Sequence, residues 1–178
     1  AMINAIINGR YHYEMNGVAE FLEAARDKLL RVNNISVEEE EILPTVGVMN
    51  AIWLTYRVLL KPGDHVIAVT PTYPPLIGRP KSFQAEVTEV KTRMDGHLDL
   101  ARIEEAVTSK TRIITICNPN NPTGTVYTRD ELEYLAEIAV KHDLYVFSDE
   151  LYENLTYDGR KHVSIASLPG MHDRTVTA

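Results

Sequence analysis

The sequence is poor in the features that staple, anchor or charge a small protein. It holds a single cysteine, Cys117, which excludes a disulfide framework and any zinc site built from several thiolates. It lacks a basic excess, since 18 Lys and Arg face 25 Asp and Glu for a net charge of −7. An acidic chain without a Lys/Arg cluster is not built to grip nucleic acid or an anionic membrane. Long hydrophobic runs are missing too: stretches such as residues 113–117 fall far short of the roughly 20 residues that cross a bilayer. No basic segment followed by an apolar run opens the chain, so no secretory leader is readable. The six histidines show no paired metal spacing, and no metal is expected. No Gly-x-Gly-x-x-Gly follows a strand pattern, which argues against a dinucleotide-binding domain. What remains is 178 residues, 44% hydrophobic and 24% charged, enough to bury a core without staples. The expectation is a soluble, cytoplasmic protein.

From about residue 42 onward, short runs rich in Val, Ile and Thr alternate with amphipathic helical patterns. Residues 66–69, 86–90, 112–117, 144–148 and 175–177 read as strands. Leu132, Leu135, Ala136 and Ala139 follow helical spacing behind a capping box of Thr128 and Glu131. Leu100, Ile103 and Val107 stripe a second helix with Asp99 as its cap, and Val18, Leu22, Ala25 and Leu29 stripe an earlier one. Gly47 opens a fourth, which runs to about Leu60 and is stopped by Lys61-Pro62-Gly63-Asp64. Ser36 with Glu39 reads as another capping box, which makes the acidic run at 38–41 a solvated helix start. Trp53 is expected in the core, the lone histidines on the surface, and Cys117 packed at the end of a buried strand. The alternation predicts an α/β fold, a three-layer sandwich with a mainly parallel sheet. Residues 1–16 lack periodicity and read as an N-terminal arm.

In such a sheet, ligands gather at the carboxyl ends of the strands, so the polar residues just past each strand matter most. Asn118-Pro119-Asn120-Asn121-Pro122-Thr123-Gly124 follows one strand, and Asp149-Glu150-Leu151-Tyr152 follows the next. Pro71-Thr72-Tyr73-Pro74-Pro75 follows an earlier strand, and Thr45-Val46-Gly47 precedes a helix. Singly, these are turn formers, a cap and a packing aromatic. A single helix separates the first two clusters, which should bring Asn121 and Asp149 to neighbouring strand ends.

In this order and spacing the clusters resemble the class I/II aminotransferases, which are fold-type I enzymes dependent on pyridoxal 5′-phosphate. Residues 118–124 and Ser148-Asp149-Glu150-Leu151-Tyr152 carry the resemblance. Lys61-Pro62-Gly63-Asp64, Pro71-Thr72-Tyr73-Pro74 and Gly17 before Phe21-Leu22-Glu23-Ala24 extend it over almost the whole chain. The resemblance implies that Asp149 pairs with the cofactor's protonated ring nitrogen, and that Tyr152 and Asn121 donate to its phenolic oxygen. It implies that Tyr73 stacks on the ring, and that the helix start at Gly47, Val48 and Met49 receives the phosphate. Tyr11 or Tyr13 is the candidate to reach a partner subunit, because family members build their sites at a two-fold interface. The implied reaction passes an amino acid's amino group to a 2-oxo acid, in amino acid biosynthesis, by a homodimer.

Two departures qualify the match. Met49 cannot donate a hydrogen bond where many relatives carry a hydroxyl residue, which shifts the phosphate onto backbone N–H groups. Some carbon–sulfur β-lyases of this fold are also apolar there, so β-elimination stays open as an alternative. The second departure is an absence: none of the seven lysines (28, 61, 81, 91, 110, 141, 161) stands at the family's Schiff-base position, expected past residues 175–177. The arginine that grips the substrate carboxylate, and the C-terminal small domain, are not seen either. The expectation is therefore a fragment: an arm at 1–16 and a partial large domain at 17–178, catalytically silent by itself. A non-catalytic truncated module is the remaining alternative.

Overall fold

The computed structural model describes residues 2–9 and 17–178 of the chain. Tyr11, His12 and Tyr13 lie outside them. A short helix, α1 (Met2–Ile7), is followed by α2 (Ala19–Lys28), α3 (Val48–Leu59), β1 (His65–Thr70), α4 (Pro75–Ser82) and β2 (Glu86–Lys91). Then come α5 (Leu100–Glu105), β3 (Thr111–Cys117), α6 (Arg129–Lys141), β4 (Tyr145–Asp149) and β5 (Thr175–Thr177). The five strands form one sheet in the order β2-β1-β3-β4-β5, and every pairing is parallel.

Side chains alternate across the sheet, and each face has its own helical cover. Val66, Ile113, Cys117 and Phe147 pack under Ile52 and Tyr56 of α3 and Leu76 of α4. Ile67, Ile114, Ile116 and Val146 pack on the other side under Ile103 of α5 and Leu132, Leu135 and Ala139 of α6. Both faces of β1 and β3 are buried, which is why these strands read as near-continuous apolar runs. The edge strand β2 is mostly exposed. The result is a three-layer α/β sandwich.

Local signals act where they were read in α5 and α6. The Thr128 hydroxyl accepts from the Glu131 N–H, and the Glu131 carboxylate accepts from the Thr128 N–H at 2.8 Å. Such a cap contributes about 1 kcal/mol. Asp99 likewise accepts from the Arg102 N–H.

Elsewhere packing overrides pattern. The box at Ser36 and Glu39 does not form; a 3₁₀ turn at Glu39–Glu41 is capped by Glu38 instead, whose N–H donates to Glu41 at 2.8 Å. α2 stops at Lys28 and continues as a π-helical turn, Leu29–Asn33, closed by Asn34 at a φ of 56°. The helix α4 has no sequence signal, because Pro75 and Pro80 bracket its interior and mask it as a loop. Trp53 is 43% exposed and leans on Phe83, since the buried stripe of α3 runs through Ile52, Thr55 and Tyr56 and leaves position 53 to the side.

His65 is a second correction, a histidine in the core rather than on the surface. It opens β1, with Nδ1 2.8 Å from the Thr111 hydroxyl and Nε2 2.8 Å from the Thr88 hydroxyl. Burial pushes its pKa down, against a weaker upward pull from Glu86. The folded chain thus disfavours the charged ring, and the unfolded chain binds the extra proton. This contribution is fully present above the unfolded value of about 6.5 and is lost as pH falls from there through the lower folded value. Urea unfolding at pH 7.5 and 5.5 is expected to show a drop in stability that His65→Gln reduces. Equal drops in both proteins would refute it.

Candidate active site

β3 and β4 lie side by side, with Cys117 opposite Asp149. Asp149 is the last residue of β4 rather than the first beyond it, and its carbonyl accepts from the Asn118 N–H at 2.9 Å. Asn121 lies in the turn just past β3, and the Cys117 thiol at the end of that strand donates to the Pro119 carbonyl within the same turn. The two sequence candidates therefore meet at adjacent strand ends. Asp149 stands two residues beyond Phe147, and the pleat sends it to the α3–α4 face.

Three further candidates gather on that face. Val48, Met49 and Tyr73 are partly buried against the cluster that holds Cys117 and Phe147. Met49 thus serves packing, and hydrogen bonding at this helix start falls to the backbone. Gly47 adopts φ 72° and ψ 170°, and a Cβ built there would meet nothing within 4 Å. The first intrahelical bonds of α3 come from the Asn50 and Ala51 N–H groups to the Gly47 carbonyl. The N–H groups of Val48 and Met49 stand ahead of them, and no acidic side chain occupies the first turn. A cleft of about 320 Å³ opens beside them, lined by Thr45, Gly47, Val48, Leu151 and Thr177. Tyr152 is half-buried in the turn that follows β4. A larger cleft of about 600 Å³, at Thr70, Thr72, Lys91 and Arg93, contains none of the candidates.

The electrostatics of Asp149 are unusual for a carboxylate. It is 4% exposed, and among the described residues its side chain accepts one hydrogen bond, from the Leu151 N–H at 3.3 Å. No cation among the described residues pairs with it. Burial pushes its pKa above the ordinary range; the Leu151 N–H opposes this, and the charge of neighbouring Glu150 adds to it. A buried carboxylate without a counter-charge costs several kcal/mol. The donor set consequently suits a ligand that brings a protonated nitrogen to Asp149 and an anionic group to the start of α3. Pyridoxal 5′-phosphate has both. Cys117 lies close by, but burial and then the charge of Asp149 push its thiol up to about 12, so it packs and does not react.

Glu150 escaped the sequence reading as a site residue. It is equally buried, and its carboxylate accepts from Ser148, Ser164 and His162 at 2.8–2.9 Å. His162 is therefore another buried histidine, brought to Glu150 by the return of the loop after β4. Glu150, Glu153 and His162 each place a donor atom within 4.8 Å of the others. Glu153 is already held by Lys28 and Asn33, so the group reads as a charge network. Only the two-residue period of β4 hinted at a second, rearward carboxylate.

A family model described as aminotransferase class I and II matches residues 9–178. The aspartate/prephenate aminotransferase of Thermus thermophilus is 38% identical over 90% of this chain and 42% of its own length. The aromatic-amino-acid aminotransferase 2 of Thermococcus litoralis is 39% identical over 97% of this chain and 46% of its own. The solved aromatic aminotransferase of Pyrococcus horikoshii superposes with a TM-score of 0.94 at 37% identity, over 98% of this chain and 48% of that one. The chain thus spans about half the length of the relatives it matches.

The Gly47 geometry makes a stability prediction. Its φ and ψ lie in a region that is essentially restricted to glycine. Since nothing crowds the missing Cβ, Gly47→Ala is expected to lose stability through backbone strain alone, on the order of 1–3 kcal/mol. Denaturant titration measures it, and an unchanged midpoint would count against the strain.

Proposed function

The chain belongs to the class I and II aminotransferase family, and from that membership we propose that it is the cofactor-binding half of a transaminase that passes an amino group from an amino acid to a 2-oxo acid. The family is dependent on pyridoxal 5′-phosphate, which supplies an electron sink for charge developing on the substrate's α-carbon. The observation that carries the reading is the buried Asp149, unpaired with any cation among the described residues, on the same sheet face as Tyr73 and the start of α3.

Each residue has a distinct task in this proposal. Asp149 holds the proton on the ring nitrogen by charge pairing in a site where water does not compete. Tyr152 and Asn121 donate hydrogen bonds to the phenolic oxygen. Tyr73 covers one ring face, where burial of two flat surfaces fixes the tilt. Gly47, Val48 and Met49 receive the phosphate through backbone N–H groups at the positive end of α3. Residues 17–178 form part of the large domain and residues 1–16 an arm.

The same reading includes a cytoplasmic homodimer acting in amino acid biosynthesis. No helix among the described residues is long and apolar enough to cross a membrane. Met2, Ile3 and Ile7 of α1 are more than two-thirds exposed, an apolar surface that a partner subunit would cover.

Two experiments test the proposal. In the intact protein, Asp149→Asn should keep its circular dichroism while turnover falls by at least roughly a hundredfold, because a neutral amide cannot hold the ring proton. Turnover at the level of the parent would refute the role. Light scattering of the intact protein should give the mass of a dimer, and a clean monomer at working concentration would contradict the assembly.

A further inference from the structure

Glu150 lies between two proposed cofactor residues, yet it faces away from both of their partners. The pleat that sends Phe147 and Asp149 toward α3 sends Val146, Ser148 and Glu150 toward α6. On that side its carboxylate accepts from the Ser148 hydroxyl at 2.8 Å, the Ser164 hydroxyl at 2.9 Å and His162 Nε2 at 2.9 Å. Both members of the last pair have side chains less than 8% exposed.

The backbone around Glu150 ties three strand ends together. Its N–H donates to the Ala178 carbonyl at 2.7 Å, and the Ala178 N–H donates to Ser148 at 3.0 Å. The Asn118 N–H donates to the Asp149 carbonyl at 2.9 Å. The Asn118 amide donates in turn to the Val163 carbonyl at 3.3 Å, while its oxygen accepts from the Tyr127 N–H at 3.0 Å. Ser164 and Val163 are the returning end of the loop that begins with Glu150 and carries Tyr152. The carboxylate therefore closes that loop onto the end of β4 at Ser148, and backbone bonds and the Asn118 side chain carry the tie on to β3 and β5.

We propose that Glu150, with His162, is a positioning residue of the cofactor site, holding Asp149 and the Tyr152 turn in place from the opposite face of the sheet. A carboxylate accepts three donors at once, which an apolar side chain of the same size cannot do. Specific placement, rather than added stability, is what a buried charge at this position supplies. The proposal rests on the reading of Asp149 and Tyr152 as cofactor residues, and its test separates the two.

Amide hydrogen exchange is measured on the 178-residue chain and on Glu150→Gln and Glu150→Ala, with pyridoxal 5′-phosphate titrated into each. Glu150→Gln keeps an accepting oxygen and the side-chain shape, whereas Glu150→Ala removes the clamp. In Glu150→Ala the amides of Asn118, Glu150 and Ala178 should exchange at least about tenfold faster, while those of Ile114 and Val146 stay protected. Glu150→Gln should restore most of the protection. A carbon-13 titration of the Asp149 carboxyl should show its midpoint falling further in Glu150→Ala than in Glu150→Gln, as water reaches the loosened group. Unchanged strand-end exchange in Glu150→Ala, or equal loosening of Ile114 and Val146, would overturn the clamp. Cofactor affinity weakened in Glu150→Ala and kept in Glu150→Gln supports it, and equal affinity in all three overturns its functional half. If none of the proteins takes up the cofactor, the exchange pattern alone decides the clamp, and the site reading is decided by Asp149→Asn in the intact protein.

Discussion

Asp149 and Glu150 are consecutive carboxylates, each only 4% exposed, and the pleat of β4 sends them to opposite faces of the sheet. That divergence organises the site. Among the described residues the forward carboxylate has a single N–H donor and no cation, so its charge is available to a ligand. The rearward one is saturated by two hydroxyls and an imidazole, so its charge is spent on structure. Were both on one face, each would raise the cost of ionising the other, and neither role would be served.

The apolar residues around the site have a comparable division of labour. Met49 and Val48 stand at the start of α3, where a hydroxyl side chain could have met an anion, and they pack against the apolar cluster that includes Cys117 and Phe147 instead. The helix start consequently relies on what every helix has, unpaired N–H groups and the positive end of its dipole. Gly47 leaves the approach open, and the absence of acidic residues in the first turn leaves it positive. Packing of α3 and electrostatics of its N-terminus are separable, and only the second depends on the backbone.

The amino end of the sheet is joined by a different device. His65 opens β1 between two threonine hydroxyls from β2 and β3, holding three strand starts together without charge. The carboxyl ends, by contrast, are joined by charged and amide groups that also shape the site. The candidate site thus lies at the carboxyl ends of the strands, where ligands gather in parallel sheets.

Much of this was legible in the residues alone. Val, Ile and Thr runs located all five strands to within about two residues, and the Thr128–Glu131 box located α6, because period and capping are local properties of the chain. The adjacency of Asn121 and Asp149 followed from one intervening helix in a parallel sheet. Local pattern failed where the deciding contact was distant. Pro75 and Pro80 concealed α4, whose Leu76 is buried only because α3 and β1 surround it. Trp53 looked like core until the packed stripe of α3 left it at the rim. His162 and Ser164 reach Glu150 from 12 and 14 residues away, through a loop whose course no periodicity encodes. By itself the sequence determined the five strands, the capped helices between them and the residues at the strand ends. Which of two adjacent carboxylates is left with one donor among the described residues, and which is consumed by the fold, was decided only when the helices covered the sheet, since burial and partners come from residues remote in the chain.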